Sequence, residues 1–169
     1  MASKQTERGK MTGNTFNTLI TDRYFEDYIP GSIHEYGSIA VVQEDIVAFA
    51  KDFDPQDFHT DPEAAKQTIF GGLIASGWHT AGLMMRLYAD HYLSRVASLS
   101  SPGVDELRWK QPVRPGDELS IRVTVTEARR STSKPDRGIV RSFIEVLNQN
   151  NEVVMSMSAL NLLLCRNKA

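Results

Sequence analysis

Residues 73–96, LIASGWHTAGLMMRLYADHYLSRV, constrain the fold of this chain more than any other segment. No proline falls between Trp78 and Val96. Trp78, Ala81, Met85, Tyr88 and Tyr92 recur at helical spacing, and Leu83, Met84 and Leu87 widen the apolar surface. The pattern predicts a long helix with Gly77 at its hinge, apolar on most sides and therefore largely buried. A single helix of that kind needs a wide sheet around it.

The C-terminal part supplies the strands. Leu119–Val125 alternates apolar and polar residues, the period of a half-buried strand. Ile139–Leu147 and Val153–Leu164 read as two more, joined at Asn148-Gln-Asn-Asn151, a hairpin turn. Val104–Trp109 is a further strand candidate, and Pro112–Asp117 and Lys134–Gly138 are turns. Earlier, Pro30-Gly31 signals a turn, Ser38–Val42 reads as a strand, and Glu44–Asp52 as a helix with Ile46, Val47, Phe49 and Ala50 on its apolar face. The expectation is an α+β fold, with an antiparallel sheet against the long helix. Such a sheet has open edges, and pairing two edges in a homodimer covers them.

A chain of 169 residues is enough for one sizeable core. Net charge is −2, with no basic excess for nucleic acid or an anionic membrane surface. The single cysteine, Cys165, rules out a disulfide within the chain and fits a reducing cytosol. The N-terminal stretch is polar, unlike a signal peptide or a membrane span, and no later run is apolar enough to span a bilayer. Residues 1–16 are expected to form a polar arm, and residues 17–169 the folded domain.

The chemistry concentrates in FDPQDFHTDPEAA, residues 53–65. Asp61-Pro62-Glu63 is a helix start: a capping carboxylate, a proline at the first helical position and an acid for the dipole. Asp54 and His59 are not explained that way. Within one helix their spacing would misalign them, but around a proline-containing turn they can converge. An Asp–His pair suits acid–base work on water, although turn-forming aspartates and a hydrogen-bonded loop histidine would look the same. His34, His59, His79 and His91 form no metal-ligand spacing. Arg108, Lys110 and Arg114 read as a solvated basic edge, and Trp78 and the methionines as core.

FDPQDFHTDPEAA, followed by GGLIASGWHTAGLMMRL and PGVDELRWKQPVRPGDEL, resembles the MaoC-like dehydratase family, which includes the (R)-specific enoyl-CoA hydratases. The resemblance runs in order from about Phe25 to Leu164. It implies a single hotdog fold, the sheet wrapped around the long helix. The family motif is Asp-x-Asn-Pro-x-His with an aspartate two residues on. Asp54, His59 and Asp61 fall on its aspartate, histidine and following aspartate, and Gly77 on the glycine that opens the central helix. Gln56 and Asp57 replace the motif's asparagine and proline, and Met85 stands near a helix position that is serine in some members.

The resemblance implies a hydro-lyase that adds water reversibly to a trans-2-enoyl-CoA, giving a 3-hydroxyacyl-CoA. Asp54 and His59 would be the catalytic pair. Gly77 would offer its backbone N–H to the thioester oxygen, though close helix packing explains a glycine there equally well. Gln56, between the pair, would line the substrate site. The reaction implies no cofactor and no metal. Two alternatives stand: a hotdog acyl-CoA thioesterase, and a non-catalytic acyl-CoA-binding subunit.

Overall fold

The computed structural model describes residues 16–167. Five antiparallel strands form one sheet: β1 (Ile33–Ala40), β2 (Ser98–Trp109), β3 (Glu118–Arg130), β4 (Arg137–Leu147) and β5 (Val153–Leu164), in the spatial order β1-β3-β4-β5-β2. Between β1 and β2 lie four helices: α1 (Gln43–Phe53), the one-turn α2 (Asp57–Thr60) and α3 (Pro62–Ala65), and the long α4 (Gly77–His91). Helix α4 packs against β1 and β3, so the α+β hotdog architecture expected from the sequence is the one the chain adopts.

Alternation places one face of the sheet in the core. Leu119, Ile121, Val123 and Val125 of β3 are buried, as are Val140, Ile144 and Val146 of β4 and Met155, Met157, Ala159 and Leu163 of β5. Two polar residues, Ser142 and Asn161, share that inward face. Each meets a tyrosine hydroxyl from α4 or its C-cap: Tyr92 with Ser142 at 2.7 Å, and Tyr88 with Asn161 Nδ2 at 2.7 Å. Helix and sheet thus satisfy each other's buried polar groups. On the outer face Arg122 bonds Glu145 at 2.8 Å across β3 and β4.

The C-terminal end of α4 is closed by Arg23. Its guanidinium donates to the carbonyls of His91 and Tyr92, both at 2.8 Å, and to that of Thr18 at 3.2 Å. It lies 3.6 Å from the centre of the Phe16 ring. A cation here answers both the unpaired terminal carbonyls and the negative end of the helix dipole. Residues 1–15 of the expected arm lie outside the described residues. Phe16, its last member, is packed: its ring stacks on His34 at 4.0 Å and meets Tyr28 and Tyr92 edge-on.

The elements differ from expectation mainly in extent. Strand β1 begins five residues before Ser38, starting just after the Pro30-Gly31 turn, and Val42 is already the cap of α1. A register shift between Gly37 and Ile39 breaks the alternation that would have revealed the longer strand. Strand β2 begins six residues before Val104 and runs through Pro102-Gly103, which an edge strand tolerates. In α4 the buried face is His79, Thr80, Met84, Leu87 and Tyr88, whereas Trp78 and Met85 are 59% and 44% exposed. Periodicity identified the helix, but two apolar stripes compete on it and only one faces the sheet.

His34 gives the fold a pH dependence. Burial first, and the nearby Arg23 charge second, push its imidazole down to about 4. The folded state therefore binds fewer protons than the unfolded chain between pH 4 and 6.5, and stability rises with pH across that window. A tenfold change in proton affinity corresponds to about 1.4 kcal/mol, so acidification from pH 6.5 to 4 should cost on the order of 3 kcal/mol through this group. Urea unfolding at a series of pH values should show that slope in the wild type and a shallower one in His34→Gln.

Candidate active site

Asp54 terminates α1: its amide still donates to the Ala50 carbonyl at 2.9 Å, but its backbone has left the helical region. Pro55 and Gln56 turn the chain, and Gln56 caps the single turn of α2 that carries His59. The expected convergence is observed. His59 Nε2 and Asp54 Oδ2 stand 3.4 Å apart, with the imidazole buried and the carboxylate at 23% exposure. Asp61 is spent on α3, where Oδ1 accepts from the amides of Glu63 at 2.8 Å and Ala64 at 3.1 Å.

The imidazole's other nitrogen fixes its tautomer. Nδ1 lies 2.8 Å from the Ile74 carbonyl, which can only accept, so Nδ1 carries the hydrogen. In neutral His59 the lone pair is then on Nε2, the atom facing Asp54. Carboxylate and imidazole offer two acceptors to one region of space, an arrangement that holds a water by its protons. Edge-on contact with Phe58, ring centres 4.4 Å apart, limits the imidazole further.

Asp54 is tied on both oxygens. Oδ1 accepts from Gln56 Nε2 at 2.7 Å and Oδ2 from the Ser76 hydroxyl at 2.8 Å. Gln56 first, then Ser76 and the nearby His59, outweigh the effect of burial and hold the carboxyl below its usual range. Asp54 is thus anionic at neutral pH.

Ser76 ends the extended stretch Leu73–Ser76, which threads between α2 and the segment after β2. Ile74 N donates to the Phe58 carbonyl at 3.1 Å and Ala75 N to the Val113 carbonyl at 2.8 Å. Gly77 is the first residue of α4, so its N–H has no carbonyl one turn back within the helix to bond. The positive end of the dipole falls at the same place. Asp54, His59, Ser76 and Gly77 all line one cavity of about 360 Å³, completed by Phe58, Phe70, Trp109 and Val113 among others.

Of the residues expected at the site, Asp54, His59 and Gly77 come together on this cavity. Gln56 does not line it; the side chain is exposed and spends its amide on Asp54. Two contributors were not expected from the sequence. Ser76 carried a signal, since a serine before the first helical residue is a favoured cap. Trp109 carried none. Its indole sits where a side chain on Gly77 would be: a Cβ built there falls 2.3 Å from Cε2. The indole Nε1–H also donates to the Gly77 carbonyl at 2.9 Å. The glycine is required by close packing, since the indole fills the space a side chain would take. Arg114, expected on a solvated edge, is exposed there and also donates to the Phe70 carbonyl at 2.7 Å.

A hotdog sheet around one helix, with an Asp–His pair at the N-terminus of that helix, defines a class of fold and site. The family model described as a MaoC like domain matches residues 26–154, and the chain belongs to that family. A MaoC-like dehydratase from Rhodospirillum rubrum is 41% identical, with a TM-score of 0.79 over 86% of this chain and 99% of its own. The (R)-hydratase of A. caviae, involved in PHA biosynthesis, is 26% identical, with a TM-score of 0.62 over 79% of this chain and 95% of its own. A 3-hydroxybutyryl-CoA dehydratase of Methylorubrum extorquens is 32% identical over 109 residues, which span 62% of this chain and 64% of that protein.

The Gly77–Trp109 contact yields a stability test. Gly77→Ala must displace the indole and should cost about 1–3 kcal/mol, the range for overpacking. In Gly77→Ala/Trp109→Ala the clash is gone, so urea unfolding should show the double variant more stable than the two separate losses sum to.

Proposed function

We propose that the protein is a hydro-lyase that reversibly adds water to a trans-2-enoyl-CoA to give a 3-hydroxyacyl-CoA. The observation that carries this reading is the convergence of the Asp54 carboxylate and His59 Nε2 at 3.4 Å on a cavity opened by the first residue of α4. A water held between the two acceptors gives up a proton as its oxygen bonds Cβ. The electron pair of the double bond moves toward the thioester, whose oxygen lies against the Gly77 N–H and the helix terminus. The proton held by the pair then goes to Cα, so water is consumed whole and no other reactant is needed. Relatives named as hydratase and dehydratase support this chemistry over thioester cleavage.

The partner of this domain is, in the same reading, a second copy of the chain. Strand β2 lies at the sheet edge and is exposed along nearly its whole length. Leu99, Val104 and Trp109 of β2, with Trp78 and Met85 of α4, leave large apolar side chains in solvent. An open edge joined to apolar surface matches what a self-complementary interface covers. Sedimentation equilibrium should give twice the chain mass, and Val104→Asp should shift it toward the single chain.

Loss of the enoyl absorbance of crotonyl-CoA, and of longer and branched enoyl-CoAs, tests the reaction. Asp54→Asn and His59→Ala should each lower turnover by at least about 100-fold with the circular dichroism spectrum retained. Full activity in either variant, or release of free thiol in place of hydration, would rule the assignment out.

A further inference from the structure

We propose that Ser76 is a positioning residue that couples the Asp54–His59 pair to the N-terminus of α4. The proposal rests on the hydratase reading for its functional meaning, and on geometry for its substance.

An ordinary N-cap serine uses only a lone pair, accepting an amide hydrogen from the first turn, while its own proton goes to water. Ser76 accepts from Trp78 N at 3.3 Å in that manner, but it is fully buried. Its proton needs an acceptor inside the protein, and it takes Oδ2 of Asp54, 22 residues away, at 2.8 Å. Oδ2 is also the oxygen that faces His59. The carboxylate sits at the end of a helix and would otherwise be held mainly by Gln56, whose side chain is exposed. Ser76 is the fixed, solvent-free member of the two donors.

The same residue sets the other half of the site. Its carbonyl accepts from Thr80 N at 3.0 Å and from Thr80 Oγ1 at 3.3 Å, which pins the peptide joining Ser76 to Gly77. In a trans peptide the N–H points opposite to the C=O. With that carbonyl directed along α4, the Gly77 N–H points out of the helix end. One residue therefore fixes both the face that Asp54 presents to a water and the plane of the N–H that meets a thioester oxygen. The family's serine, where present, lies on the body of the helix near Met85; here Met85 is exposed and does not line the cavity. The titratable groups that share the cavity with Asp54 are His59 from α2 and Lys110 from the segment after β2.

The test compares wild type with Ser76→Ala, Ser76→Gly and Ser76→Thr by two readouts. The first is the titration of the Asp54 carboxyl carbon by NMR, which needs no substrate. Loss of a donor to the charged form should raise its midpoint by about one pH unit in the alanine and glycine variants, while threonine leaves it near the wild-type value. The second is crotonyl-CoA hydration against pH. Here kcat should fall on the order of tenfold, with KM within about twofold, and the acid limb of kcat/KM should move up with the carboxyl midpoint. Glycine preserves most of a cap's stabilisation without a hydroxyl, so it separates capping from positioning. An unmoved midpoint in both the alanine and glycine variants overturns the proposal, whatever their activity. A moved midpoint in a protein whose wild type hydrates no enoyl thioester upholds the Ser76–Asp54 coupling and removes only the reaction assigned to it.

Discussion

Helix α4 is held at each end by a buried side chain, and the remaining structure is arranged around those two attachments. At the C-terminal end Arg23 supplies a cation to the last carbonyls and ties them to the segment before β1. At the N-terminal end Ser76 caps the helix and reaches Asp54. Between them, Tyr88 and Tyr92 spend their hydroxyls on Asn161 and Ser142 of the sheet. A helix tethered by buried polar contacts along its length cannot slide or rotate without leaving donors or acceptors unpaired in the core. Its N-terminus is for that reason a stable reference point for chemistry, and the candidate site is built on it.

The site combines a carboxylate, an imidazole of fixed orientation and a helix N-terminus within one cavity. Asp54 keeps its charge because two donors hold it. His59 keeps one defined lone pair because the Ile74 carbonyl occupies its other nitrogen. Gly77 has no side chain because Trp109 leaves no room for one, and its N–H has no intrahelical carbonyl because it opens α4. Each group is set by a neighbour that is not itself proposed to react, which is how preorganised sites avoid reorganisation during reaction.

Much of this was legible in the sequence. The absence of proline and the helical recurrence from Trp78 onward announced α4, and alternation in Leu119–Val125 announced the sheet. Asp54 and His59 stood out because capping explains Asp61 but not them. What could not be read depends on partners distant in sequence. Trp78 and Met85 are as apolar as Met84 and Tyr88, and only the sheet decides which stripe is buried. The first halves of β1 and β2 owe their conformation to pairing with β3 and β5 across register shifts. Gln56 was expected to meet substrate, yet its reach is taken up by Asp54 two residues away. Trp109 lies 32 residues from the glycine it packs on, and nothing local marks it.

In the proposed reaction, water held by Asp54 and His59 adds to C3, two bonds from the thioester carbonyl carbon. Mass spectrometry of crotonyl-CoA incubated with the protein in H₂¹⁸O tests it most directly. The hydratase reading predicts one ¹⁸O in an intact 3-hydroxyacyl thioester, located at C3. Label in a free carboxylate with release of CoA, or no incorporation above a protein-free control, would contradict it.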